Sequence, residues 1–174
     1  LHLHDAKPDA LTDLTLERLA FAKDNSTLPG KDSLYLQALI SQGAALTAGE
    51  AKSAVRLAMA QWHVERSAQY QRLAPDSAWK WEKKAAADIC REIASHRSEP
   101  FALKRANALL AQLTQPMLQV QMEEAVIPDT SFKIALTYAN MKQVWLRVAK
   151  DDDRKGIRRG YRDQEALRRL LRTP

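Results

Sequence analysis

Apolar side chains recur every three or four residues through most of this chain, and most of the runs stop near a proline or a glycine. That spacing puts the apolar residues on one face of a helix, and the punctuation marks where helices start and end. Residues 9–24 carry Leu11, Leu14, Leu19 and Ala22, with Pro8 at the first turn, where its missing amide costs nothing. The stretch from Asn25 to Gly30 reads as a loop. Asp32 or Ser33 then caps a short helix carrying Leu36, Leu39 and Ile40, which Gly43 closes.

Thr47-Ala-Gly-Glu50 has the form of a capping box, in which the threonine hydroxyl and the glutamate carboxylate satisfy each other's backbone amides. The helix it opens runs to about Leu73 and ends before Pro75, with Ala51, Val55, Ala58, Met59, Trp62 and Tyr70 on one stripe that Arg66 interrupts. Asp76 or Ser77 caps a helix over 78–97 whose inner face is Trp81, Ala85, Ile89 and Ile93. Pro100 opens another, with Ala102, Ala106, Leu109, Leu110 and Leu113 inward, and Pro116 kinks or breaks it. A last body helix is predicted over 132–150 from Ile134, Tyr138, Met141, Trp145 and Val148. No Asn-Gly or Asp-Gly hairpin signal and no strict alternation stand out, so strands are not expected.

The predicted fold is therefore all-α: an irregular bundle of about five to seven helices over residues 1–153, followed by a basic tail over 154–174 with a short helix at about 163–172. At 174 residues the chain is long enough to bury a core without covalent staples. Its lone cysteine, Cys90, rules out an internal disulfide and makes a reducing, cytoplasmic setting the expectation. No apolar run reaches the roughly 18–20 residues of a membrane span. The chain begins at Leu1 rather than at a methionine, which fits a processed protein or a piece of a longer one, and no signal peptide is visible.

Charge is distributed unevenly. The tail holds Arg154, Lys155, Arg158, Arg159, Arg162, Arg168, Arg169 and Arg172 against Asp163 and Glu165, an excess of six. The other 153 residues are balanced, with 19 basic and 19 acidic side chains, so the whole net charge of +6 sits in the tail. Arginine forks match phosphate oxygens, Gly156 and Gly160 let a backbone come close, and Tyr161 offers a face for a base. The alternatives are an acidic protein surface, on which the tail folds, or a solvated terminus.

A second basic group is expected on the helix over 78–97, where Lys80, Lys84 and Arg91 share a face beside Lys83, with Lys104 and Arg105 nearby and Trp79 available for stacking. Glu82, Asp88 and Glu92 dilute it, and a charged helix face is ordinarily just solvated. Trp62, Trp81 and Trp145 fall on inner faces and read as core, whereas Trp79 falls off the stripe and reads as exposed.

Nothing linear points to catalysis. His2-Leu-His4 has metal-like spacing, but only His63 and His96 remain to complete a site. Glu123-Glu124 and the aspartates at 151–153 are adjacent acids that point apart rather than converge on a metal. Cys90 lies one residue off its helix stripe and reads as a small packed hydrophobe. No Walker loop, dinucleotide turn or zinc-finger spacing occurs, so no cofactor is expected. A non-catalytic nucleic-acid-binding accessory subunit for DNA or RNA is the leading expectation, its contacts being the tail residues, Tyr161, Lys80, Lys84, Arg91 and Trp79. The alternative is a protein-interaction or scaffolding subunit of a larger assembly. A continuous basic stripe joining the tail to Lys80, Lys84 and Arg91 favours the first, an exposed apolar groove the second.

Overall fold

A computed structural model describes residues 9–71, 79–95, 100–123 and 130–146. The chain falls into two compact units, Leu1–Pro116 and Met117–Pro174. The domain boundary expected at 153, the tail and its short helix lie outside the described residues. The fold is mostly helical, as the spacing of apolar residues predicts, with five helices and one small sheet among the described residues.

The first unit contains α1 (Asp9–Asn25), α2 (Lys31–Ala45), α3 (Glu50–Ser67), α4 (Glu82–Ser95) and α5 (Pro100–Thr114). α3 packs against all four others, and α4 and α5 pack on each other. Ion pairs Arg56–Glu92 and His63–Glu82 make α3 and α4 antiparallel. The shared core is Leu57, Ala60, Ala86, Cys90, Ile93 and Ala106, flanked by Val64, Ile89, Leu109, Leu110 and Leu113. Half of that buried set is alanine. Small side chains let helix axes approach closely, and alanine costs least in helix propensity.

The inner faces differ in detail from those expected. On α1, Leu11 and Leu14 are exposed, and Thr12 is the buried residue. Thr12, Leu16, Leu19 and Lys23 form the inward row at four- and three-residue steps. Leucines occur on two sides of this helix, so apolar spacing alone does not choose between them. On α4 the buried residues are Ala86, Ala87, Cys90 and Ile93: Ile93 is inward as expected, Ala86 and Cys90 lie one position on from the expected Ala85 and Ile89, and Cys90 has no exposure. That helix begins only at Glu82, so Trp81 precedes it and is 66% exposed instead of core. The expected cap at Asp76 or Ser77 lies outside the described residues.

Helix starts also depart from the capping expectations. Gly30 is the N-cap of α2, so neither Asp32 nor Ser33 caps it, and the helix runs past Gly43 to Ala45. Gly43 is half-buried, and a Cβ there would meet Val55 Cγ1 at 3.5 Å, so packing on α3 holds the helix through this residue. Gly49, not Thr47, is the N-cap of α3, and no side chain caps it. Glu50 reaches across the bundle instead, where its Oε1 accepts a 3.0 Å hydrogen bond from the Ala102 amide in the first turn of α5. An orphan amide at a helix N-terminus attracts a carboxylate through both hydrogen bonding and the helix dipole.

In the second unit, β1 (Met117–Met122) and β2 (Ile134–Ala139) form an antiparallel two-stranded sheet. This overturns the helix expected over 132–150 and the expectation of no strands. A four-residue interval satisfies helical and strand periods alike. Ile134 and Tyr138 fit both, but Leu136 between them fits only alternation. Asn140, with φ 57°, closes β2 in the left-handed region that asparagine tolerates. Trp145, expected to be core, is 83% exposed; Val148 lies outside the described residues.

Candidate interaction surfaces

The end of α3 carries a packed polar cluster. Arg66 Nη1 donates to Asp32 Oδ2 at 2.8 Å, and its guanidinium lies 4.1 Å from the Trp79 ring centroid and 5.7 Å from that of Trp62. Trp62 is buried and donates its indole N–H to the Asp32 carbonyl at 3.0 Å. Arg66 interrupts the apolar stripe because it ties α2, α3 and the Trp79 segment together. His63 Nδ1 stands 2.5 Å from Glu82 Oε2, edge-on to Trp62. His63 is thus beside a carboxylate, but it does not line the groove described below.

The expected basic face is divided. Trp79 is half-buried at φ 66° with Arg66 over its ring, so one of its faces is occupied. Lys80 lies 4.9 Å from the Trp81 ring centroid, Lys84 and Lys83 are exposed, and Arg91 is paired with Asp88 at 2.6 Å. α4 begins beside His63, whereas α5 begins beside Glu50. Thirteen residues of α3 separate those points, about 20 Å at 1.5 Å per residue. Lys80 and Lys84 therefore sit at the opposite end of the bundle from Lys104 and Arg105. Arg154, Lys155, Arg158, Arg159, Tyr161, Arg162, Arg168, Arg169 and Arg172 all lie outside the described residues.

Between α1, α3 and α5 the first unit opens a groove of about 740 Å³, within the roughly 300–1,000 Å³ of ligand clefts. One wall is Asp9, Asp13 and Glu17, spaced four residues apart on α1, which sets their Cα atoms about 6 Å apart along the axis. The floor is Ala51, Ala54 and Ala58 of α3. The far wall is Phe101, 66% exposed, with Arg105 5.6 Å from its ring centroid. Glu50, bonded to Ala102, also lines the groove. None of the three wall acids is singled out by motif, although their spacing is legible in the sequence.

Tyr35, also in the lining, has its phenol pushed up by burial, with neighbouring Lys23 acting the other way. Lys23 is held above its usual value. Burial works against its charge, and the Glu65 carboxylate at 2.8 Å outweighs it. Burial likewise raises the Cys90 thiol, which suits a packed side chain better than a nucleophile.

The sheet of the second unit has two unlike faces. Register pairs Leu118 with Tyr138, Val120 with Leu136 and Met122 with Ile134 on one side, and Met117 with Ala139, Gln119 with Thr137 and Gln121 with Ala135 on the other. The first face is wholly apolar, with Leu118, Val120, Met122 and Tyr138 between 44% and 59% exposed.

Among the described residues no group of three or more His, Cys, Asp or Glu side chains is placed to hold a metal, and no helix is long and apolar enough to cross a membrane. Comparison with known families, with characterised proteins and with solved structures yields no match.

Proposed function

We propose that the protein is a non-catalytic interaction subunit whose helical unit takes a basic, helix-forming segment of a partner protein. The observation that carries this reading is the groove: a row of carboxylates facing an exposed phenylalanine across a floor of alanines. Alanines let a visiting helix approach to the usual 8–10 Å between axes. Lysines or arginines four residues apart on that helix match the spacing of Asp9, Asp13 and Glu17. Exposed ion pairs contribute only about 0.2–1 kcal/mol each, so they set register and encounter rate, while apolar contact with Phe101 supplies affinity.

Titration of the full chain with lysine-rich and glutamate-rich amphipathic peptides of equal helicity tests it. Binding of the lysine-rich peptide, weakened at least about tenfold in D13K/E17K and in F101A, is expected. Equal binding of both peptides, or no change in those variants, defeats the reading.

A second reading rests on the charge count. Because the net charge lies in residues 154–174, we also propose nucleic-acid binding through the tail arginines. Phosphate contacts carry little base information, so sequence preference is weak. Anisotropy with single- and double-stranded DNA and RNA, for the full chain and a version ending at Asp153, tests it. Four to six contacts give a salt slope of about −4 to −5, which the truncation flattens. Absence of binding by the full chain at low salt rejects it.

A further inference from the structure

A two-stranded sheet is at best marginally stable alone and needs a third strand or a helix on its apolar face. Here six apolar side chains, Leu118, Val120, Met122, Ile134, Leu136 and Tyr138, share one face, and among the described residues that face is exposed or half-exposed. Its dimensions select the occupant. Six residues at about 3.3 Å and two strands about 4.8 Å apart give a face roughly 20 Å by 10 Å. That is about 200 Å², far short of the roughly 800 Å² per partner of a stable dimer. A single helix about 10 Å across and 15–20 Å long fits it.

We infer that this face is the docking site of the chain's own segment 163–172, seated as an amphipathic helix. The segment lies outside the described residues, and its sequence is amphipathic. At 100° per residue Leu167, Leu170 and Leu171 fall on one side, and Arg168, Arg169 and Arg172 on the other. The leucine side would supply the further layer that the sheet needs. The 28 residues from Ala139 to Leu167 give ample reach. Seating the leucines would turn the three arginines outward together, as one basic ridge. The inference is independent of the groove in the helical unit, and it stands whether or not that groove takes a partner.

A disulfide trap in the full chain tests it. V120C/L170C is expected to oxidise to a bridged monomer, mapped by peptide mass, while the buried Cys90 stays reduced. Q119C/L170C, on the opposite sheet face, is the control and is expected to remain unbridged. Equal bridging from both faces, no bridge from Val120→Cys, or a bridge joining two copies overturns the inference. A second measurement guards against a variant that misfolds. In L167D/L170D, amide exchange in residues 117–122 and 134–139 is expected to quicken at least about tenfold, with protection in α3 and α4 unchanged. Unchanged strand exchange overturns it as well.

Discussion

The helical unit and the sheet of the second unit handle apolar surface in opposite ways. The first buries Leu57, Ala60, Ala86, Cys90, Ile93 and Ala106 among its own helices and ties three of its cations to carboxylates within the unit: Lys23 to Glu65, Arg56 to Glu92, Arg66 to Asp32. The second gathers six apolar side chains on one sheet face, of which Leu118, Val120, Met122 and Tyr138 are exposed and Ile134 and Leu136 half-buried. A unit whose core is closed specifies its own fold. A two-stranded sheet with one apolar face needs another layer.

Matched core truncations break that comparison most sharply. Ile93→Ala removes a side chain with 2% exposure among close-packed alanines, so the helical unit should lose about 3 kcal/mol of stability. Leu136→Ala on the sheet, half-buried at most, should cost the helical unit nothing. Urea titration followed by helical circular dichroism measures both. A small loss in I93A would mean that the core collapses around the gap.

Next in size is Glu50. Its carboxylate accepts from the Ala102 amide, so Glu50→Ala should cost about 1–2 kcal/mol and speed amide exchange at Ala102 before the rest of α5. Thr47→Ala should stay within about 0.5 kcal/mol, because Thr47 caps nothing. Equal losses in the two would restore the local capping box and remove the link between α3 and α5.

How far the fold is legible in the sequence follows from the same contrast. Pro100 and Pro116 bound α5, and Ser26 to Gly30 separates α1 from α2, because proline and glycine act through the local backbone. The cap of α5 is not legible, since its acceptor lies 52 residues away. The sheet was hidden because Ile134 and Tyr138 keep a spacing that helix and strand share, and Met141, Trp145 and Val148 after them continue it at helical steps. The tryptophans failed for a related reason: a shift in where α4 begins moves Trp81 out of the helix and leaves Trp79 under Arg66. The acids of the groove wall are visible as a four-residue series, but only the packing of α1 beside α3 and α5 makes them a wall.

The smallest effect concerns the internal ties of the helical unit, and its sign is fixed by Lys23. Lys23 lies 2.8 Å from Glu65 and 5.0 Å from the Tyr35 ring centroid, with Asp24 also near at 3.7 Å. Its proton is held more tightly in the folded protein than at the ordinary value of 10.5. The stability this adds is complete below pH 10.5 and is lost as pH rises through the higher folded value. Tyr35 acts in the same direction, because burial opposes its ionisation, so the folded state becomes less favourable above the ordinary tyrosine value of 10.0. Tyr35→Phe removes that second titration. In the Tyr35→Phe background, Lys23→Met should therefore lower stability by less than about 1 kcal/mol at pH 8, since Glu65 is largely exposed. The difference should shrink as pH climbs beyond 10.5. A difference that persists unchanged to pH 12 would mean that Lys23 contributes through the packing of its methylene chain against Tyr35 and not through its charge.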